Sequence, residues 1–118
     1  MGTILEQIGE LGVVPVIAIE NAADAPKLGQ ALLAGGLPCA EITFRTAAAA
    51  EAIRLTSREL PQLLVGAGTV RTVDQARQAA EAGARFIVAP GLDPALIDWC
   101  LVNDMPVTPG VMTPTEVT

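Results

Sequence analysis

The chain has 118 residues, 51% of them hydrophobic, a net charge of −6 from 7 Lys and Arg against 13 Asp and Glu, and no histidine. That length supports one small domain at most, and scattered basic groups in an acidic chain offer no clustered footprint for nucleic acid or an anionic membrane surface. Without histidine there is no Ser-His or Cys-His dyad and no imidazole metal ligand, so catalysis has to rest on carboxylates, arginine, hydroxyls or lysine.

The longest nearly apolar stretch, residues 13–19, contains Pro15 and falls far short of the ~20 residues that span a bilayer. The first ten residues carry Glu6 and Glu10 and lack the cationic start of a secretory signal, so a cytoplasmic location is expected. Cys39 and Cys100 lie far apart with no histidine near either. They fit neither a zinc site nor a disulfide framework and read as small core residues.

Taken in order, residues 1–12 predict a helical lead-in. Apolar runs rich in branched residues follow at 13–19, 40–44, 63–68, 85–89 and 106–108, each but the last followed by a dozen or so helix formers. From the second onward the runs recur roughly every 22 residues, a period with room only for strand, loop, helix and loop. Helix starts are predicted at Asn21 with Asp24, Thr72 with Gln75, Asp93 before Pro94, and Thr113 before Pro114 with Glu116, because side-chain oxygens there can satisfy free backbone N–H groups. Gly35-Gly36 and Gly83 fall where a left-handed residue closes a helix. Ala25, Leu28 and Leu32, then Leu92, Leu96, Trp99 and Cys100, keep apolar stripes at helical spacing and predict faces packed on a sheet.

Parallel strands joined by right-handed crossovers form either a doubly wound open sheet or a (β/α)8 barrel, and the near-constant period favours the barrel. A whole barrel needs roughly 200 residues or more. Residues 1–118 therefore predict a single domain forming the N-terminal portion of a (β/α)8 barrel, four βα units and a fifth strand.

The strand period of two puts Glu41, Thr43 and Arg45 on one face and Ala40, Ile42 and Phe44 on the other. With the apolar face against helices, Glu41 looks into the barrel, where desolvation raises its pKa and suits it to move protons. Arg45 then reaches the C-terminal rim ~13 Å further on, where a guanidinium can grip a carboxylate or phosphate. The same pattern also describes a solvated edge strand with an ordinary ion pair.

In Gly66-Ala67-Gly68-Thr69-Val70 the two glycines share a face and either clear volume or let a ligand approach the backbone. Arg71 stands where a dinucleotide fingerprint needs its third glycine. Thr69 falls at the strand end, where barrel enzymes place working residues, or serves helix entry together with Thr72. Pro90-Gly91 and Pro109-Gly110 are turn signals that also leave room for a part in shaping a ligand site. Lys27 is the chain's only lysine, and its ~200° offset from Ala25 on a helix turns it towards solvent, away from any pocket that could activate an amine.

Five segments in order, Val13-Val14-Pro15-Val16-Ile17, Glu41-Ile42-Thr43-Phe44-Arg45-Thr46, Val65-Gly66-Ala67-Gly68-Thr69-Val70, Ala89-Pro90-Gly91 and Pro109-Gly110-Val111-Met112-Thr113-Pro114-Thr115-Glu116, resemble the 2-keto-3-deoxy-6-phosphogluconate / 4-hydroxy-2-oxoglutarate aldolases. The resemblance runs from about Val13 to Thr118. It implies a (β/α)8 barrel, usually a homotrimer, that cleaves a 2-keto-4-hydroxy acid to pyruvate and an aldehyde through a lysine imine, with no metal or cofactor. It further implies that Glu41 is the general acid/base, that Arg45 binds the substrate carboxylate, that Thr69 lies beside the bound keto acid, and that Pro90 helps shape the pocket.

The family's imine-forming lysine lies on a sixth strand, and its glycine-rich phosphate site lies in the last two loops. Residues 1–118 hold neither, so these residues alone are expected to be inactive. Two other readings stay open. One is a catalytically inactive half-barrel serving as a scaffold or assembly module, which would pair with another copy to cover its open face. The other is a phosphate-binding barrel of different chemistry, which would not call for Glu and Arg together on the second strand.

Overall fold

In the computed structural model, residues 3–118 are described, so the first two positions of the predicted lead-in lie outside the described residues. The rest of the lead-in forms α1 (Ile4–Leu11), capped by the Thr3 hydroxyl, which accepts from Glu6 N–H at 3.1 Å. Five strands then alternate with helices: β1 (Val16–Ile17), α2 (Asp24–Ala34), β2 (Cys39–Thr43), α3 (Ala49–Glu59), β3 (Leu64–Gly68), α4 (Val73–Ala82), β4 (Ile87–Ala89), α5 (Pro94–Val102), β5 (Val107–Pro109) and the short α6 (Pro114–Val117). Every strand pairing is parallel and the spatial order is β1-β2-β3-β4-β5. Sequential order is that of a barrel wall, because a doubly wound sheet reverses direction at a switch point.

The capping signals mark the helices with two adjustments. Thr72, Asp93 and Thr113 each accept a bond from the first turn of the following helix. Asn21 does not cap α2: its side chain accepts from Ala23 N–H at 3.1 Å, forming a turn, and the helix begins at Asp24 behind Ala23. Gln75 bonds the N–H of Arg71, one residue before the cap it was expected to reach. The start of α3, at Ala48, has no side-chain cap and left no signal to read. Left-handed backbone appears at Gly36 (φ 83°) and Gly83 (φ 111°), where a side chain would be strained.

Apolar packing explains why the sheet has two distinct faces. Register aligns Ile17 with Ile42, Ala67 with Ile87, and Ile87 with Val107, and this row packs in one core with Ala52 and Ile53 of α3, Ala76 and Ala79 of α4, and Leu96 and Cys100 of α5. Ala49, Ala52, Ile53 and Thr56 recur at the three- and four-residue spacing of a buried helix face. On α2 the predicted stripe is corrected at Leu28, which is 37% exposed, while Ala25 and Gly29 are buried. Gly29 takes the inner position because a Cβ there would stand 2.7 Å from Leu60 and 3.0 Å from Leu63. Trp99 packs against the core and both cysteines are buried and free.

The opposite face carries a smaller cluster, Cys39, Leu64 and Phe86, closed by Ile4, Ile8 and Leu11 of α1, so the lead-in helix covers that layer. Elsewhere large apolar side chains stand open, among them Leu101 at 69% and Val102 at 84% on α5. No helix among the described residues is long and apolar enough to cross a membrane.

Ile87 belongs to both rows of strand contacts on β4 and is fully buried. Ile87→Ala is expected to lower unfolding stability by about 2–5 kcal/mol, read as a reduced urea midpoint with an unchanged slope.

Candidate active site

Because all five strands are parallel, their C-terminal ends and the loops that follow gather on one rim. Backbone bonds stitch that rim together: Phe44 N–H donates to Gly68 O at 2.8 Å, Val70 N–H to Val88 O at 3.2 Å, and Gly110 N–H to Ala89 O at 2.9 Å. Threonine hydroxyls extend the stitching to the first unit, Thr43 donating to Ile17 O at 3.0 Å and Thr46 to Ile19 O. These two tethers were not expected from the sequence. Part of the signal was in the sequence, since the period of two puts Thr43 on the inner face with Glu41; that β1 is short enough to need the tether is seen only in the structure.

Glu41 occupies the inner face of β2 and is only 8% exposed. Its neighbours leave it space: a Cβ built on Gly68 would meet the Glu41 carboxyl at 2.0 Å, and one built on Gly66 would meet the Phe86 ring at 2.3 Å. The two glycines therefore clear volume for the protein's own side chains, the first of the two roles that the sequence left open. Burial pushes the Glu41 carboxyl above its ordinary pKa, and the positive charge of Arg45 partly opposes that rise. Cys39, two residues back on the same face, is raised by burial and then by the Glu41 charge, with an opposing contribution from the Ala40 backbone, so its thiol stays protonated at neutral pH.

Arg45 is corrected in one respect. The strand ends at Thr43, so Arg45 sits in the exposed turn beyond it instead of continuing the inward-facing row. It remains near enough for its charge to act on Glu41, yet the ion pairs found among the described residues, Glu51–Arg54 and Asp74–Arg77, lie on helices. The alternative of an ordinary solvated pair is thus not what β2 carries: the acid is buried and the guanidinium is free at the rim.

Thr69 follows Gly68 directly, half-buried, with φ at 55°. A β-branched residue in left-handed backbone costs on the order of 1–3 kcal/mol and persists only where its surroundings over-determine it. Here the bonds at Gly68 O and Val70 N–H hold both flanks. Pro90 belongs to a different wall. Together with Val70, Arg71, Gly91, Leu92, Asp93 and Leu96 it lines an open groove of about 390 Å³. The Pro90 carbonyl also packs 2.3 Å from where a Gly110 Cβ would be, which locks the two Pro-Gly turns together. Glu41, Arg45 and Thr69 thus form one group around β2 and β3, with Pro90 to the side. Lys27 is exposed on α2, and the described residues contain no cluster of three or more metal-ligating side chains.

A carboxyl group whose pKa is raised in the folded protein adds stability below its unfolded value, near pH 4.3, and loses it as pH rises through the folded value. Glu41→Gln removes the charge and keeps the shape. It is expected to raise the urea midpoint at pH 7, with the advantage fading below about pH 4, where the parent carboxyl is neutral too.

The model of the KDPG and KHG aldolase family matches residues 4–118. The 2-dehydro-3-deoxy-phosphogluconate aldolase of Treponema pallidum is 46% identical over 117 residues, covering 99% of this chain and 56% of that protein. The crystal structure of the 2-keto-3-deoxy-6-phosphogluconate aldolase of Zymomonas mobilis ZM4 with 3-phosphoglycerate superposes with a TM-score of 0.88 at 40% identity, over 97% of this chain and 55% of that one. A KDPG aldolase from Legionella pneumophila, with pyruvate captured at low pH as a covalent carbinolamine, gives a TM-score of 0.84 at 39% identity, over 88% and 50%. The chain spans about half the length of the curated relatives it matches, and its five strands correspond to the N-terminal part of their (β/α)8 barrel. It belongs to the KDPG and KHG aldolase family.

Proposed function

We propose that the protein carrying this chain is a class I aldolase, a lyase that cleaves a 2-keto-4-hydroxy acid, 2-keto-3-deoxy-6-phosphogluconate or 4-hydroxy-2-oxoglutarate, to pyruvate and an aldehyde. The observation that carries this reading is the Glu41 carboxyl, buried on the inner face, lodged against Gly68, and raised by burial above its ordinary pKa. Such a group can accept a proton from the 4-hydroxyl as the C3–C4 bond breaks and return it to carbon as pyruvate forms. The pyruvate-derived carbinolamine of the Legionella relative supports a covalent amine adduct as the chemistry.

Arg45, free at the rim, binds the substrate carboxylate, and Thr69 borders the keto acid in a backbone conformation that its flanking bonds hold rigid. Pro90 shapes the neighbouring wall. The imine-forming lysine is assigned outside residues 1–118, since Lys27 is the one lysine here and faces solvent. Residues 1–118 alone are accordingly expected to be inactive. By family resemblance the protein is a homotrimer that needs no metal or cofactor, and the open apolar side of α5 supports assembly against further surface. The acidic first ten residues, Glu6 and Glu10 among them, support a cytoplasmic location.

Borohydride reduction in the presence of pyruvate should add a pyruvate-derived mass to a lysine of the full-length protein. Failure to trap any adduct while aldol cleavage proceeds would overturn the class I assignment. Glu41→Gln should lower kcat by about 10²- to 10⁴-fold, whereas Arg45→Ala should act mainly on KM. An unimpaired Glu41→Gln enzyme would remove Glu41 from the mechanism.

A further inference from the structure

The register of β2 on β3 places Glu41 opposite Gly66 and Thr43 opposite Gly68. Yet the Glu41 carboxyl does not lie at its own level. It meets the space above Gly68, with Oε2 at 2.0 Å, Cδ at 2.6 Å and Cγ at 2.8 Å from where a Cβ would be. The side chain therefore crosses onto β3 and climbs two residues towards the rim, about 6.6 Å of strand rise. The reason is visible one step below. The space over Gly66 is filled by the Phe86 ring, whose Cε2 and Cζ would stand 2.3 Å from a Cβ there, so the lateral position is taken and the upper one is open.

We propose that Gly68 is a positioning residue for Glu41: the missing side chain of Gly68 is the berth that holds the carboxyl beside the strand end and next to Thr69. The inference rests on the reading of Glu41 as the acid/base, and it adds which residue sets that group's location. Gly68 is not in left-handed backbone, so a methyl group at this position brings no conformational strain. What must yield is the far end of a flexible side chain, which can swing away from β3 towards solvent and Arg45. The groups able to influence the Glu41 proton are Arg45 in the turn after β2 and Cys39 on β2. The same face of the packed strands otherwise offers Val16 on β1, Leu64 on β3, Phe86 just ahead of β4 and Val88 on β4, none of which titrates.

The test uses Gly68→Ala, Glu41→Ala and the double variant of the full-length protein. Carboxyl-carbon NMR should show Glu41 titrating at lower pH in Gly68→Ala than in the parent, as the displaced group regains water. In the same variant kcat should fall by about 10²-fold with little change in KM, and the acid limb of the pH profile should move with the NMR titration. Urea unfolding should show the methyl group lowering stability beside Glu41 but not in the Glu41→Ala background, where the clash is gone. An unchanged Glu41 titration, or an equal loss of stability in both backgrounds, would overturn the berth. Absence of aldol cleavage in the parent would instead overturn the proposed activity, while the titration and the unfolding pair still decide the role of Gly68.

Discussion

The inner wall of this sheet depends on volume that β3 leaves empty. Parallel strands pack their side chains at fixed lateral spacing, so two large groups on neighbouring strands cannot both reach the same strip unless the strand between them contributes nothing. Gly66 and Gly68 meet that condition on consecutive inward positions, one receiving Phe86 from just ahead of β4 and the other receiving Glu41 from β2. The apolar layer of Cys39, Leu64 and Phe86, closed from below by α1, then lies under the carboxyl and excludes water from it. Burial of Glu41, its raised pKa and its location at the strand end are consequences of one steric arrangement.

A second constraint is the rim. Each βα loop begins where a strand carbonyl or amide is still paired with its neighbour, so the loops start from a common, rigid edge. Thr43 and Thr46 tie the first unit to the second through side chains, which compensates for a β1 of only two residues. Such an edge can hold Thr69 in backbone that a β-branched residue rarely adopts. The backbone next to the buried acid is thus held by the fold itself.

Arg45 and Glu41 illustrate how a pair can be electrostatically coupled without being an ion pair. The acid is desolvated and the guanidinium is exposed, so the dominant influence on the carboxyl is burial and the charge acts as a counterweight. A direct contact would have held the acid firmly ionised. Separation leaves the carboxyl able to change protonation state and leaves the guanidinium available to a carboxylate from solution.

Much of the architecture was legible in the sequence. The alternation of apolar runs with capped helix formers predicts parallel βα units, and Thr72, Asp93 and Thr113 mark helix starts correctly because capping is local chemistry within a few residues. The period of two likewise places Glu41 on the face opposite Ile42. Strand lengths were less legible: the run at 13–19 pairs only at Val16–Ile17, and Arg45 falls in a turn, because ladder length depends on what the neighbouring strand offers. On α2 the helix turns Ala25 and Gly29, not Leu28, into the buried positions, Gly29 because Leu60 and Leu63 leave no room for a Cβ there. Composition and spacing thus determined which residues face inward and where helices begin, since these follow from periodicity and nearest neighbours. Only the tertiary structure decided what fills the space above the two glycines, because that depends on side chains from β2 and from Phe86 beside β4, brought together across β3 by strand pairing.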